Sequence, residues 1–200
     1  MQEIDMVVKM TLDNLGAVLQ SIEALARHEV FVGVPDSTAG RQDEGAPISN
    51  AQIGYIMETG SPASNVPARP HLVLGVEDAL PRVTAQLQRG IDAALGGNLE
   101  KVGQSLGAAG TQAVSSMRLR IRRNAPPPPV QPTVENRFRP RRAEGPRTAE
   151  KEYAALVDAG AQAASMSVAE IQLAAGIIPL IDTGEYRKSI TYVVRKKGAT

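Results

Sequence analysis

Apolar positions change period several times along the chain, and each change marks an element. Residues 4–10 (Ile-Asp-Met-Val-Val-Lys-Met) mix β-branched side chains with partial alternation, which predicts a short strand. From Leu15 the apolar positions recur at spacings of three and four, through Val18, Leu19, Ile22, Leu25 and Ala26. That is the period of a helix, with Thr11 or Asp13 as its cap and His28 near its C-terminal end. A compact strand over residues 29–34 follows, Val30-Phe31-Val32-Gly33-Val34 at its centre, stopped by Pro35-Asp36. Residues 36–47 read as an exposed polar loop.

Ser49 is placed to cap a helix over residues 50–59, with Ile53, Ile56 and Met57 on one face and Gly60 to end it. Residues 61–70 hold three prolines and read as extended. A long helical pattern then runs from His71 to about Leu95, with Pro81 predicting a kink or two abutting helices. After Gly96-Gly97 a second long helix, about residues 99–123, carries Val102, Leu106, Ala109, Ala113 and Met117 on one face. Helical pattern returns over residues 148–164 and 168–174, and a strand near residues 188–195 closes the chain. The predicted class is α+β, a small and mostly antiparallel sheet packed with long helices in a single domain over residues 1–200.

Composition narrows the chemistry. There is no cysteine and no tryptophan, and only His28 and His71 carry imidazole. Disulfides, thiolate metal sites and a cysteine nucleophile are excluded, and a histidine-rich metal site has too few ligands. No phosphate-binding glycine loop, dinucleotide fingerprint or zinc-protease motif occurs, so neither enzyme activity nor a cofactor is expected. No apolar run reaches membrane-spanning length and the N-terminus lacks a signal pattern, which predicts no membrane partner.

Charge adds a contrast that the net value of +1 conceals. Residues 118–147 carry nine arginines against two glutamates and half of the fourteen prolines, whereas residues 1–117 carry 7 basic and 13 acidic side chains. Residues 124–147 have almost no apolar content and read as a basic, proline-rich extended arm. Arg118, Arg120, Arg122 and Arg123 crowd the end of a helix, and Arg137, Arg139, Arg141 and Arg142 follow on the arm. The first four suit a helix C-terminus, but two clusters around a proline linker exceed dipole matching. They are candidates for contact with acidic protein surfaces or, without sequence preference, DNA phosphates. Glu58 and Arg69 flank a proline-rich turn as a candidate ion pair, and Asp182-Thr183-Gly184 reads as a capped corner before the last strand.

Three stretches together resemble the tailed-bacteriophage neck or tail-completion proteins, the family that includes the minor tail protein Z type. They are Val32-Gly33-Val34-Pro35; the run from Asn50 to Gly60 followed by Asn65-Val66-Pro67-Ala68-Arg69-Pro70-His71-Leu72; and Pro179-Leu180-Ile181-Asp182-Thr183-Gly184 leading into Tyr186-Arg187-Lys188-Ser189-Ile190-Thr191-Tyr192. The chain departs in carrying His71 where family members often have Phe, and a longer basic stretch before the Asp-Thr-Gly element. The resemblance implies a non-enzymatic virion structural protein, made in the host cytoplasm and assembled into the neck. It would complete the tail and join it to the head connector as a homo-oligomeric ring around the DNA channel, hexameric by the symmetry of tails. Implied neighbours are head-closure proteins on one side and tail-terminator or tail-tube proteins on the other. Glu58, Arg69, Pro70, Asp182, Thr183 and Gly184 are then structural or interface residues. The alternatives are a tail terminator ring capping the tube and, in a different class, a non-specific DNA-binding packaging accessory protein. The 36–47 loop and the 124–147 arm are expected to order on assembly.

Overall fold

A computed structural model describes residues 14–40, 48–123, 148–158, 167–178 and 184–198. Helix α1 (Leu15–Arg27) starts at Asn14, which takes the N-cap position in place of the expected Thr11 or Asp13. The Asn14 side-chain amide turns away from α1 and donates to the Gly96 carbonyl at 3.4 Å. Strand β1 (His28–Gly33) follows without a loop, and the His28 ring donates from Nδ1 to the Ala24 carbonyl one turn back. Part of the expected 36–47 loop is a helical turn, α2 (Asp36–Ala39). It is ordered because the Thr38 hydroxyl donates to the Ser189 carbonyl at 2.8 Å and the Asn50 amide donates to the Gly40 carbonyl at 3.1 Å. Residues 41–47 lie outside the described residues.

Helix α3 (Asn50–Thr59) begins with a reciprocal cap, in which the Ser49 hydroxyl accepts from Gln52 N–H and the Gln52 side chain accepts from Ser49 N–H. The stretch after Gly60, expected to be extended, curls instead. Pro62–Ser64 forms a 3-10 turn, Asn65 is left-handed at φ 53°, and Ser61 bridges to Val66. The prolines favour that turn as readily as an extended run.

The spine is a pair of 24-residue helices, α4 (Leu72–Leu95) and α5 (Leu99–Arg122), joined through Gly96-Gly97-Asn98. Each is about 36 Å long. Asn98 caps α5 by accepting from Lys101 N–H at 3.0 Å. The expected apolar face of α5 is buried at every position named, from Val102 to Met117. Pro81 does not divide α4 into two helices. It lies on the exposed side, about half a turn round from buried Ala79, so the carbonyl it leaves without a donor faces water while α5 grips the other side. Gly75 sets the helix spacing, because a Cβ there would stand 2.6 Å from the Met117 Cα.

Helices α6 (Thr148–Asp158) and α7 (Val168–Ala174) bury Tyr153, Ile171, Ala175 and Ile177 in a small cluster of their own. Residues 159–164, expected to continue α6, lie outside the described residues. The final strand does not start near residue 188. Residues Glu185–Ser189 form a short helix, α8, and β2 spans Thr191–Lys196. Tyr186, Ser189 and Ile190 are all buried at helical spacing, and the Ser189 hydroxyl donates to the Tyr186 carbonyl at 2.7 Å. That burial overrides the β-propensity of the sequence. β2 pairs antiparallel with β1 from His28↔Lys196 to Gly33↔Thr191.

The result is α+β, as expected, with the sheet lying on α5. Gly110 permits this, since a Cβ there would fall 2.5 Å from the Tyr192 ring. Val32 and Tyr192 pack on Val114, Met117 and Ile121, while Val30 and Val194 pack on Ala94, Val102 and Leu106. The strand expected over residues 4–10 lies outside the described residues. So does the basic arm, residues 124–147.

Candidate functional site

The first turn of a helix leaves backbone N–H groups without partners. His71 occupies the N-cap position of α4 and offers no side-chain cap. Glu58, in the last turn of α3, supplies it from thirteen residues upstream. Its Oε2 accepts from the N–H groups of His71 and Leu72, each at 2.9 Å, and its Oε1 accepts from Val73 N–H at 3.0 Å. A carboxylate at this place also meets the positive end of the helix dipole. Arg69 N–H donates to the Met57 carbonyl at 2.6 Å, tying the returning chain to the same end of α3.

His71 is fully buried beneath this cap. Its Nδ1 lies 2.8 Å from the Arg69 carbonyl and 3.4 Å from Glu58 Oε2. A carbonyl only accepts, so Nδ1 carries the proton and Nε2 is left as an acceptor. Tyr186, the second residue of α8, fills that role by donating from its hydroxyl to Nε2 at 2.5 Å. The two rings meet edge to face with centroids 5.5 Å apart. Gly54, one turn before Glu58 on α3, leaves space for the phenol, since a Cβ there would stand 3.1 Å from the Tyr186 oxygen.

Electrostatics fit this assignment. Burial holds the His71 imidazole below its ordinary value, and the Arg69 carbonyl and Glu58 charge, which favour the protonated ring, do not outweigh it. The ring is neutral at pH 7. Burial alone would raise the Glu58 carboxyl, but three backbone donors and His71 together hold it below its ordinary value. Burial, with the Glu58 charge, pushes the Tyr186 phenol above its ordinary value, so it stays a donor. Both nitrogens of His71 are engaged and the ring is sealed, so the arrangement locks α3, α4 and α8 together and leaves no open position for a reacting group.

Sequence reasoning named Glu58, Arg69 and Gly184 for this region. Arg69 is buried, and Glu58 serves the α4 N-terminus. Pro70 is exposed between Arg69 and His71 and presets the approach to the cap. Gly184 is left-handed at φ 80° and stands at the N-cap of α8. Asp182 and Thr183 lie outside the described residues. His71 and Tyr186 were missed as a pair; the available signal was a Gly54/Glu58 face at helical spacing, with a small residue facing a bulky one.

The arginines divide. Arg118 donates from Nη2 to the Ile190 carbonyl at 2.7 Å and the Lys188 carbonyl at 3.2 Å, holding the start of β2. Arg120 pairs with Asp78 of α4 at 2.8 Å. Arg122 and Arg123 are exposed at the end of α5, whereas Arg137, Arg139, Arg141 and Arg142 lie outside the described residues. Arg82 joins Arg120 and Arg123 around a polar cleft of about 240 Å³ that also contains Asp78. The Asp78/Arg82 spacing of four on α4 was the clue to it. Among the described residues no cluster of metal-ligating side chains occurs, and no helix is long and apolar enough to cross a membrane. No protein-family model, curated protein or solved structure matches the chain.

Proposed function

We propose that this chain is a non-enzymatic structural protein of a tailed-phage neck, completing the tail and joining it to the head connector as a homo-oligomeric ring around the DNA channel. The observation that carries the reading is the meeting of separate motif stretches at one joint. Glu58 and His71 come from the helix–turn–helix stretch, and Tyr186 from the stretch that leads into β2, 115 residues after His71. A rigid joint built from those stretches accounts for their spacing without any catalytic role. Apolar surface supports self-association. Leu15 and Leu19 on α1 are 64% and 58% exposed, and Leu95 and Leu99 beside the α4–α5 turn are 61% and 45% exposed. Asn14 ties the start of α1 to that turn, so the four side chains belong to one end of the molecule.

A reconstruction of the particle tests the assignment, with density for this chain expected between portal and tail tube as a ring, hexameric by tail symmetry. Virions purified without the protein would overturn it, and a ring found only as a cap on free tails would favour a tail terminator. The DNA-binding alternative draws on exposed Arg122 and Arg123. Its mark is affinity that drops steeply with salt, and absence of binding at low salt removes it.

A further inference from the structure

Residues three or four apart on a helix share a face. Asp78 and Arg82 are so related on α4, and Ser116, Arg120 and Arg123 along the end of α5. Close approach of the two helices at Gly75 and Met117 brings these five side chains around the polar cleft of about 240 Å³. One guanidinium is already fixed. Arg120 meets Asp78 through Nε at 2.8 Å and Nη2 at 3.4 Å, which sets its plane and leaves Nη1 for another acceptor. Among the described residues, Arg82 and Arg123 have no acidic partner. Ser116 is 4% exposed, and among the described residues its hydroxyl makes no hydrogen bond. Thr111 on the same helix behaves otherwise, donating to the Gly107 carbonyl one turn back at 2.9 Å. A nearly buried hydroxyl without an acceptor is costly, and this one lines a cleft with three guanidiniums.

The charge balance identifies what fits. Three guanidiniums against one carboxylate leave +2, and the C-terminal end of α5 subtracts about half a charge. A phosphate group with a free end carries about −1.5 to −2 at pH 7. The cleft is also smaller than the pockets of about 300–1,000 Å³ that take drug-sized ligands, so it suits one anionic group and not a whole nucleotide. We propose that this cleft binds a single dianionic phosphate group, free or at the end of a larger molecule. Arg82, Arg123 and Nη1 of Arg120 supply the charged donors, and the Ser116 hydroxyl supplies a neutral one. A DNA backbone phosphate fits less well, since it carries one charge and is esterified on two sides. Exposed Arg122 does not line the cleft. The inference does not rest on the neck assignment.

The full-length protein is titrated with inorganic phosphate and, separately, with phenyl phosphate at constant ionic strength. The readouts are the guanidinium Nε signals of Arg82, Arg120 and Arg123 and the Ser116 amide. Saturable shifts at these four groups are expected. Binding of both anions assigns the cleft to a terminal phosphate, and binding of inorganic phosphate alone assigns it to the free ion. Arg82 and Arg123 are exposed, so Arg82→Gln and Arg123→Gln keep the fold, and each should weaken binding about tenfold by losing a charge-assisted hydrogen bond. Ser116→Ala should weaken it severalfold, whereas Arg122→Gln should change it less than about twofold, its charge being screened by solvent. Dimethyl phosphate, a singly charged diester, should bind far more weakly. Equal binding of the diester, or an equal loss in Arg122→Gln, would give the arginines to a nucleic-acid backbone or to diffuse attraction and overturn the proposal. No saturable shift with either dianion would overturn it as well.

Discussion

Glu58→Gln isolates the charge on the α4 cap while keeping its shape. Glutamine retains one acceptor oxygen. If it takes the place of Oε2, the bonds from His71 and Leu72 persist as neutral ones, a loss of about 0.5 kcal/mol each. Val73 N–H then faces an NH2 donor and loses its bond, about 1 kcal/mol, and the weakened dipole interaction adds about 0.3 kcal/mol. The Glu58 side chain is 16% exposed, which lets water restore part of this, so the expected loss is about 2 kcal/mol at neutral pH. For a chain of this size that lowers Tm by about 4–8 °C. Acid provides the decisive arm. The folded carboxyl titrates below its ordinary value near 4.5, so its stabilisation is complete above that value and vanishes as pH falls through the folded one. Urea unfolding of both proteins should therefore show a gap at neutral pH that narrows at acid pH, as the folded carboxyl takes up its proton below its ordinary value. A gap smaller than about 0.5 kcal/mol at neutral pH, or one of the same size at both, would show that the carboxylate does not carry the cap.

Three further outcomes follow from the same joint and its surroundings. Tyr186→Phe leaves the buried His71 Nε2 without a donor and should cost about 1–3 kcal/mol by urea unfolding; a double-mutant cycle with His71→Phe should recover part of that, and strict additivity would argue against the bond. His71 titrates below its ordinary value near 6.5 when folded, so the unfolded chain takes up the proton first. Stability should fall as pH drops below about 6.5 and level off past the folded value, and this slope should be missing in His71→Phe. Gly75→Ala drives a methyl group into the Met117 backbone and should cost about 1–3 kcal/mol, whereas Ala substitution at Gly103, whose Cβ would meet nothing within 4 Å, should be neutral or stabilising; similar effects at the two sites would contradict the close helix approach.

Periodicity made the helices legible because it is a local signal. The α5 face and the Ser49 cap of α3 follow from spacings of three and four within one element. Failures came where distant burial outweighed local preference. Residues 188–190 look like the start of a strand, yet Tyr186 and Ile190 are drawn into the core beneath α3 and α5 at helical spacing. Arg118 looked like one of four surface cations, but the carbonyls it holds lie 70 and 72 residues further along the chain. For Glu58, proximity in sequence pointed to Arg69, and the structure adds a role as cap for the row of N–H groups at the start of α4, which no pattern of side chains displays.

The distribution of polar and apolar groups along the spine gives those details a common direction. At the N-terminal end of α4, polar side chains are matched: half-buried Glu58 to three amides, fully buried His71 to a carbonyl and a phenol. A network of this kind tolerates only one arrangement, because any shift leaves a buried donor or acceptor without a partner at a cost of about 1–3 kcal/mol. At the opposite end, Leu15, Leu19, Leu95 and Leu99 are left in water. Burying them against a second surface gains roughly 25 cal/mol for each Å² removed from solvent and demands little directional precision. In a subunit that assembles, the first end fixes the angles between elements while the second supplies adhesion. The Glu58 and Tyr186 variants should therefore loosen the geometry of an assembly, and polar substitutions at Leu15 and Leu95 should prevent its formation while leaving the monomer folded. Sedimentation of the Leu15→Ser/Leu95→Ser variant beside Tyr186→Phe and the unaltered protein separates the two effects, and equal assembly by all three would refute this division of labour.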